Sequence, residues 1–264
     1  MNRSHIRSLT VLGCALILAG IGILALGNRV VYAQDNTPEY VGADECASCH
    51  RGLSRDHSES NHALALQDVS RSRDKELILG DFEQGEDVRQ VQFPGEDAPR
   101  AFTADDIAYA VGSGVHAQRY LYEVDRDEYM VLPAEWNVAE QKWEPYTLGD
   151  EWPSQSYDWE DNCAYCHTSG FDAERGRWLD NGVQCESCHG PASNHVEAAD
   201  DAGRNPSDEE LAAIRSAIYR SADPQVCGAC HSRGESPDGH PYPVGYTPGA
   251  TLSDFYTLVP NDSA

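Results

Sequence analysis

A mainly α chain with much irregular structure, interrupted by a small antiparallel β insertion, is the fold class this 264-residue sequence predicts. Three observations predict it. A five-residue motif occurs four times: Cys46-Ala-Ser-Cys49-His50, Cys163-Ala-Tyr-Cys166-His167, Cys185-Glu-Ser-Cys188-His189 and Cys227-Gly-Ala-Cys230-His231. Large apolar residues are scarce, with five Phe and two Met, a thin supply for a core of this size. The cysteine-free stretch 76–149 holds short runs in which apolar and polar residues alternate.

Each motif reads C-x-x-C-H, the attachment pattern of c-type haem. Two cysteines three positions apart lie on one helical turn, where they reach the two vinyl groups of one porphyrin. The histidine that follows offers an imidazole nitrogen to the iron. Structural zinc and redox dithiols also use C-x-x-C pairs, but neither needs a histidine after the second cysteine every time. The reading is therefore four covalently bound haem c groups, with Cys46, Cys49, Cys163, Cys166, Cys185, Cys188, Cys227 and Cys230 as attachment residues. His50, His167, His189 and His231 are the proximal iron ligands. The porphyrins supply the apolar surface that the composition lacks, and the apo-chain should be largely unfolded. The only other cysteine, Cys14, lies in the N-terminal segment, so none is left for a disulfide.

The formal net charge is -25, and the segment up to Ala33 holds three arginines and no acid, so the remainder is more acidic still. Such a surface repels nucleic acid, whose binding rests on cationic contacts to phosphate. It suits a basic redox partner, or serves solubility alone.

Along the chain, Arg3, His5 and Arg7 precede an apolar run from Leu9 to Gly27, which reads as an export signal. The run approaches the length that spans a bilayer. Cleavage before Gln34 and retention as a membrane anchor both stay open, giving 1–33 as signal peptide or anchor. Val11-Leu12-Gly13-Cys14 loosely resembles a lipoprotein cleavage box, but the apolar run continues past it. In every version residues 34–264 lie outside the cytoplasm, in the periplasm or at the cell surface, as one tetrahaem domain.

The stretch Asn61 to Val69 reads as a helix with His62 near its start and Leu64 and Leu66 packing. Residues 76–149 form the haem-free insertion. There Val88–Phe93, Tyr120–Val124 and Tyr129–Leu132 read as strands, with a turn at Asp125–Glu128. Trp136, Trp143 and Trp152 cover haem edges or the sheet. Met130, in an apparent strand, is core rather than an iron ligand. Residues 158–264 carry the second to fourth motifs, and the second and third begin close enough for their haems to be neighbours. A turn at Gly190-Pro191-Ala192-Ser193 leads to His195. Ser207-Asp208-Glu209-Glu210 is a capping box opening a helix to about Arg220, and the Pro- and Gly-rich tail from Pro237 is extended and wrapped on the surface.

Beyond the motifs, His57, His62, His116, His195 and His240 remain after the leader. They suffice to give every iron a second imidazole with one to spare, but spacing does not say which serves which.

Several stretches resemble the cytochrome c-554-type multihaem (tetrahaem) cytochrome c family. These are Tyr40-Val41-Gly42, the first motif, and Ser60-Asn61-His62-Ala63. Gly112-Ser113-Gly114-Val115-His116 before Tyr120-Leu121 is similar to it too, as are the paired central motifs followed by Gly190-Pro191-Ala192-Ser193-Asn194-His195-Val196. The resemblance covers most of 40–250 and implies a multihaem cytochrome c architecture packed around four haems. It implies His62, His116 and His195 as distal ligands. Where relatives often carry an aromatic residue this chain has His57. The resemblance leaves His57 or His240 to complete the fourth haem, or that haem five-coordinate. Longer relatives continue past the fourth motif.

The leading functional reading is single-electron transfer between respiratory redox proteins, without catalysis. One alternative is a multihaem oxidoreductase with one five-coordinate haem acting on a small nitrogen or sulfur compound. Another is a homo-oligomer, filament or complex-docked subunit acting as a haem conduit.

Overall fold

The computed structural model describes residues 37–260; the leader and Cys14 lie outside them. Among the described residues no helix is long and apolar enough to cross a membrane.

Among the described residues eight short helices carry the motifs and their surroundings: α1 Ala43–Cys49, α2 Arg51–Ser58, α3 Trp159–Asn162, α4 Ala164–His167, α5 Cys185–His189, α6 Ser193–Ala202, α7 Asp208–Ser216 and α8 Pro224–His231. The expectation of a mainly α chain is corrected here. Each motif needs only one helical turn to bring two cysteines and a histidine together, so the helices stop there. In α4, α5 and α8 the motif histidine is the last helical residue, and in α1 His50 is the C-cap.

The largest ordered element is instead an antiparallel sheet. Its strands are β1 Leu66–Asp68, β4 Tyr109–Val111, β5 Ala117–Asp125, β6 Glu128–Val131, β7 Ala134–Asn137 and β8 Lys142–Pro145. The order is β1-β4-β5-β7-β8, with β6 also paired to β5. The β5–β6 hairpin lies where the alternation puts it, and Asp127 takes a left-handed turn conformation at φ 59°. Val88–Phe93 contributes only β2 (Gln90–Val91), paired with β3 (Arg100–Ala101). Two further pairs are β9 (Thr168–Ser169) with β10 (Asp180–Asn181), and β11 (Gly234–Glu235) with β12 (Thr257–Leu258).

The helix expected over Asn61–Val69 does not form. A 3-10 turn at Ala63–Ala65 leads directly into β1, where Leu66 pairs with Val111 and is 1% exposed. Leu66 is buried as its apolarity demands, but sheet pairing overrides local helix propensity.

A conventional core forms on one side of the sheet. Phe102, Tyr120, Trp136 and Trp143 meet there, with Trp152 packed against them. Trp143 lies over Gly85 at φ 67°, where a Cβ would come within 2.5 Å of the indole. The three tryptophans thus cover the sheet. A second core joins Leu121, Val131, Trp159 and Ala164, fastening the sheet to the second motif. A third gathers Ala229, Tyr246, Leu252 and Tyr256 beneath the fourth motif, so the tail wraps back against that motif.

The capping box is present: Ser207 Oγ accepts Glu210 N–H while the Glu210 carboxylate accepts Ser207 N–H. The helix ends at Ser216, one turn before Arg220, leaving Ile218 outside it.

Candidate haem-attachment sites

All eight motif cysteines are free thiols. Among the described residues no three His, Cys, Asp or Glu side chains converge as a metal-binding group. The cysteine sulfurs group across motifs. Cys46 hydrogen-bonds Cys185, and its thiol is pushed up to about 12 by burial, then by Cys185 and Glu186. Cys166 and Cys230 share a hydrogen bond, which pulls Cys166 down and pushes Cys230 up. Burial also raises Cys188, followed by the charges of Cys227, Cys230 and Cys185. Hence the first site adjoins the third, the third adjoins the fourth, and the fourth adjoins the second. The second and third are tied through Ser169 Oγ and Ser187 Oγ, 2.5 Å apart. A cavity of about 340 Å³ opens beside Cys230, with Tyr165, Phe171 and Tyr242 in its wall.

Two motif histidines face a distant histidine. The rings of His50 and His195 stack at 6.2 Å with planes 18° apart. Those of His62 and His231 lie 6.0 Å apart at 62°. A metal–imidazole bond of about 2 Å on each side, plus the depth of each ring, puts two axial imidazoles roughly 6 Å apart. The separations fit an iron between each pair. His195 rides on α6, with Nδ1 donating to Ile214 O at 2.9 Å. His189 Nδ1 donates likewise to Tyr219 O at 2.8 Å. Both bonds fix the tautomer and leave Nε2 for a metal.

The other histidines differ. His57 Nε2 donates to Val183 O at 2.9 Å. His116 is exposed at the end of the Gly112–His116 loop, and its carbonyl accepts Val138 N–H at 2.9 Å. His240 lies 5.1 Å from Tyr242. Among the described residues no ring contact joins His116, His57 or His240 to a motif histidine, or His167 or His189 to any second histidine.

His167 packs against Trp159 at 5.7 Å, and burial holds it below its ordinary value. Around it stand groups that the motifs do not announce. Arg119 acts on both Cys163 and His167, and forms a 2.8 Å ion pair with Glu135. Asp158 and Glu160 bring negative charge to Cys163, and burial pushes Glu160 up to about 7. Glu186 bridges distant segments from inside the third motif. No local pattern marks any of these; their roles depend on what folds against them.

The thiols, imidazoles and open apolar walls fit c-type haem. Residues 135–190 match the family described as cytochrome c554 and c-prime. Comparison with curated proteins gives no match. Among solved structures the chain is similar to the outer cell wall cytochrome OcwA, at TM-score 0.61 and 27% identity. That match covers 83% of this chain and 45% of OcwA, so the chain spans less than half of that protein. An undecahaem cytochrome from the S-layer of Carboxydothermus ferrireducens matches at TM-score 0.43 and 21% identity, over 74% of this chain and 25% of that one. By motif, by the family match over residues 135–190 and by fold, this chain is a multihaem c-type cytochrome similar to the cytochrome c554 and c-prime family.

Proposed function

We propose that this cytochrome carries four haems and passes single electrons between redox proteins outside the cytoplasm. The observation that carries the reading is the opposition of His50 to His195 and of His231 to His62, at 6.2 and 6.0 Å. Imidazoles on both sides hold an iron identically in both oxidation states, so little rearranges when charge moves. Haem c supplies the one-electron chemistry once attached. The chain supplies spacing and surroundings. The sulfur contacts support a path in the order first, third, fourth, second site. His116 and His240 are the residues left to complete the second and third irons. The acidic surface suits a basic partner, with association that weakens as salt rises. The leader exports the chain and, if retained, anchors it; a homo-oligomer is compatible with the one spare histidine.

A pyridine haemochrome assay with intact mass tests the reading. Four haems per chain are expected; fewer than four reject it.

One observation favours a second reading, an oxidoreductase acting on a small nitrogen or sulfur compound. Neither His167 nor His189 faces another histidine among the described residues, so an iron there has room for a substrate. A high-spin absorption band and rapid cyanide binding support this reading, and a fully low-spin inert spectrum removes it.

A further inference from the structure

The four motifs differ at the position after their first cysteine: Ala47, Ala164, Glu186 and Gly228. Only the third places a charge there, and Glu186 is 2% exposed. Its Oε1 accepts Ala192 N–H at 2.9 Å and Val41 N–H at 3.1 Å; its Oε2 accepts Gly42 N–H at 2.8 Å. No Lys or Arg pairs with it among the described residues. The peptide it grips runs straight to the first attachment site, because Gly42 O accepts both the N–H and the thiol of Cys46 at 3.5 Å. Cys46 in turn meets Cys185, the residue before Glu186. A buried carboxylate is thus locked between the first and third attachment sites. The fourth has Gly228 in its place, and the partner of Cys230 is the neutral thiol of Cys166.

Backbone N–H groups hold a carboxylate without cancelling its charge. In a water-poor site that charge favours the more positive oxidation state of a nearby iron, and screening there is weak. We propose that Glu186 is a positioning and tuning residue that fastens the first site to the third and holds both irons at lower potential than the fourth. This rests on the tetrahaem reading above. The first electron taken from a chemical reductant such as dithionite then reduces the fourth ferric iron before the first; one electron moves, and no bond forms or breaks.

The test is a redox titration of the whole protein followed by electron paramagnetic resonance. Near-parallel axial imidazoles give a ferric haem a rhombic signal, and strongly crossed planes give a single large-g signal. The 18° pair at the first site and the 62° pair at the fourth are therefore read separately. On reduction the large-g signal should disappear at higher potential than the rhombic one; the reverse order overturns the proposal. Glu186→Gln should lower the ferric-to-ferrous ratio of the rhombic centre about tenfold at fixed potential, about 59 mV for a one-electron couple. The large-g centre should stay where it is. Ser193→Ala is the control. Ser193 Oγ accepts Glu39 N–H at 2.9 Å and Ser193 N–H donates to Glu39 O at 3.1 Å, so it joins the same segments without charge. Its loss should leave both midpoints unchanged. A shift below twofold in Glu186→Gln, or an equal shift in Ser193→Ala, overturns the tuning role. Absence of two low-spin signals from the wild type would instead refute the paired-imidazole ligation on which the proposed function rests.

Discussion

The first and fourth motifs differ from the second and third in what stands opposite their histidines. His50 and His231 each face an imidazole brought from the far side of the chain, His195 and His62. His167 faces Trp159, and His189 hangs from Tyr219 O with no ring across from it among the described residues. The outer motif histidines therefore face histidines brought by long-range folding, and the central ones are set among sheet and tail. Ligand count and ligand placement are separate properties. Enough histidines for every iron do not put one opposite every iron.

Deleting one built pair is the strongest challenge to this contrast. His195→Ala and His62→Ala should each convert one low-spin centre to high-spin, a whole-site change visible in absorption. His57→Ala should convert none, because its Nε2 is already engaged by Val183 O. A low-spin spectrum unaltered by either of the first two changes would erase the distinction. Next comes carbon monoxide. With His116 and His240 completing the second and third irons, the reduced protein should take up none; uptake at those two irons would leave them open and favour the oxidoreductase reading.

Stability sharpens the same contrast. Trp159 is 1% exposed against His167, so Trp159→Ala should cost about 3–5 kcal/mol and disturb the second haem's spectrum. Phe102→Ala, in the sheet's own core, should cost a similar about 3–5 kcal/mol in denaturant titration with the haem spectrum unmoved. Ser207→Ala removes the cap of α7, whose Ile214 carbonyl orients His195. It should cost only about 1 kcal/mol and loosen the first site alone.

The smallest effect is a pH slope. Burial raises Glu160 from 4.5 to about 7, so the folded chain binds this proton more tightly than the unfolded chain. Stability from this group should therefore fall as pH rises from about 4.5 to about 7, then level off. Melting temperatures of Glu160→Gln should lack that slope, and an identical profile in the variant would remove Glu160 from the account.

Much of the site was legible because C-x-x-C-H is a local pattern: one helical turn makes it, and no distant residue is needed. The β5–β6 hairpin and the Ser207 cap were legible for the same reason. The Asn61–Val69 segment misled because Leu66 has a long-range partner in Val111 that outweighs its local preference. The mainly α expectation failed likewise, since motif helices end after a turn while the cysteine-free stretch supplies a sheet. His116 resembles a family ligand by its Gly-rich approach, yet its ring meets no motif histidine.

Covalent chemistry and charge could be read from the chain alone, because haem attachment needs neighbours in sequence and acidity is a sum over residues. The facing histidines, the sulfur-to-sulfur order of the sites and the buried carboxylate between the first and third belong to the folded molecule. They join distant segments, more than a hundred residues apart for Gly42 with Glu186 and for His62 with His231. Such contacts arise from packing, and no spacing along the chain encodes them.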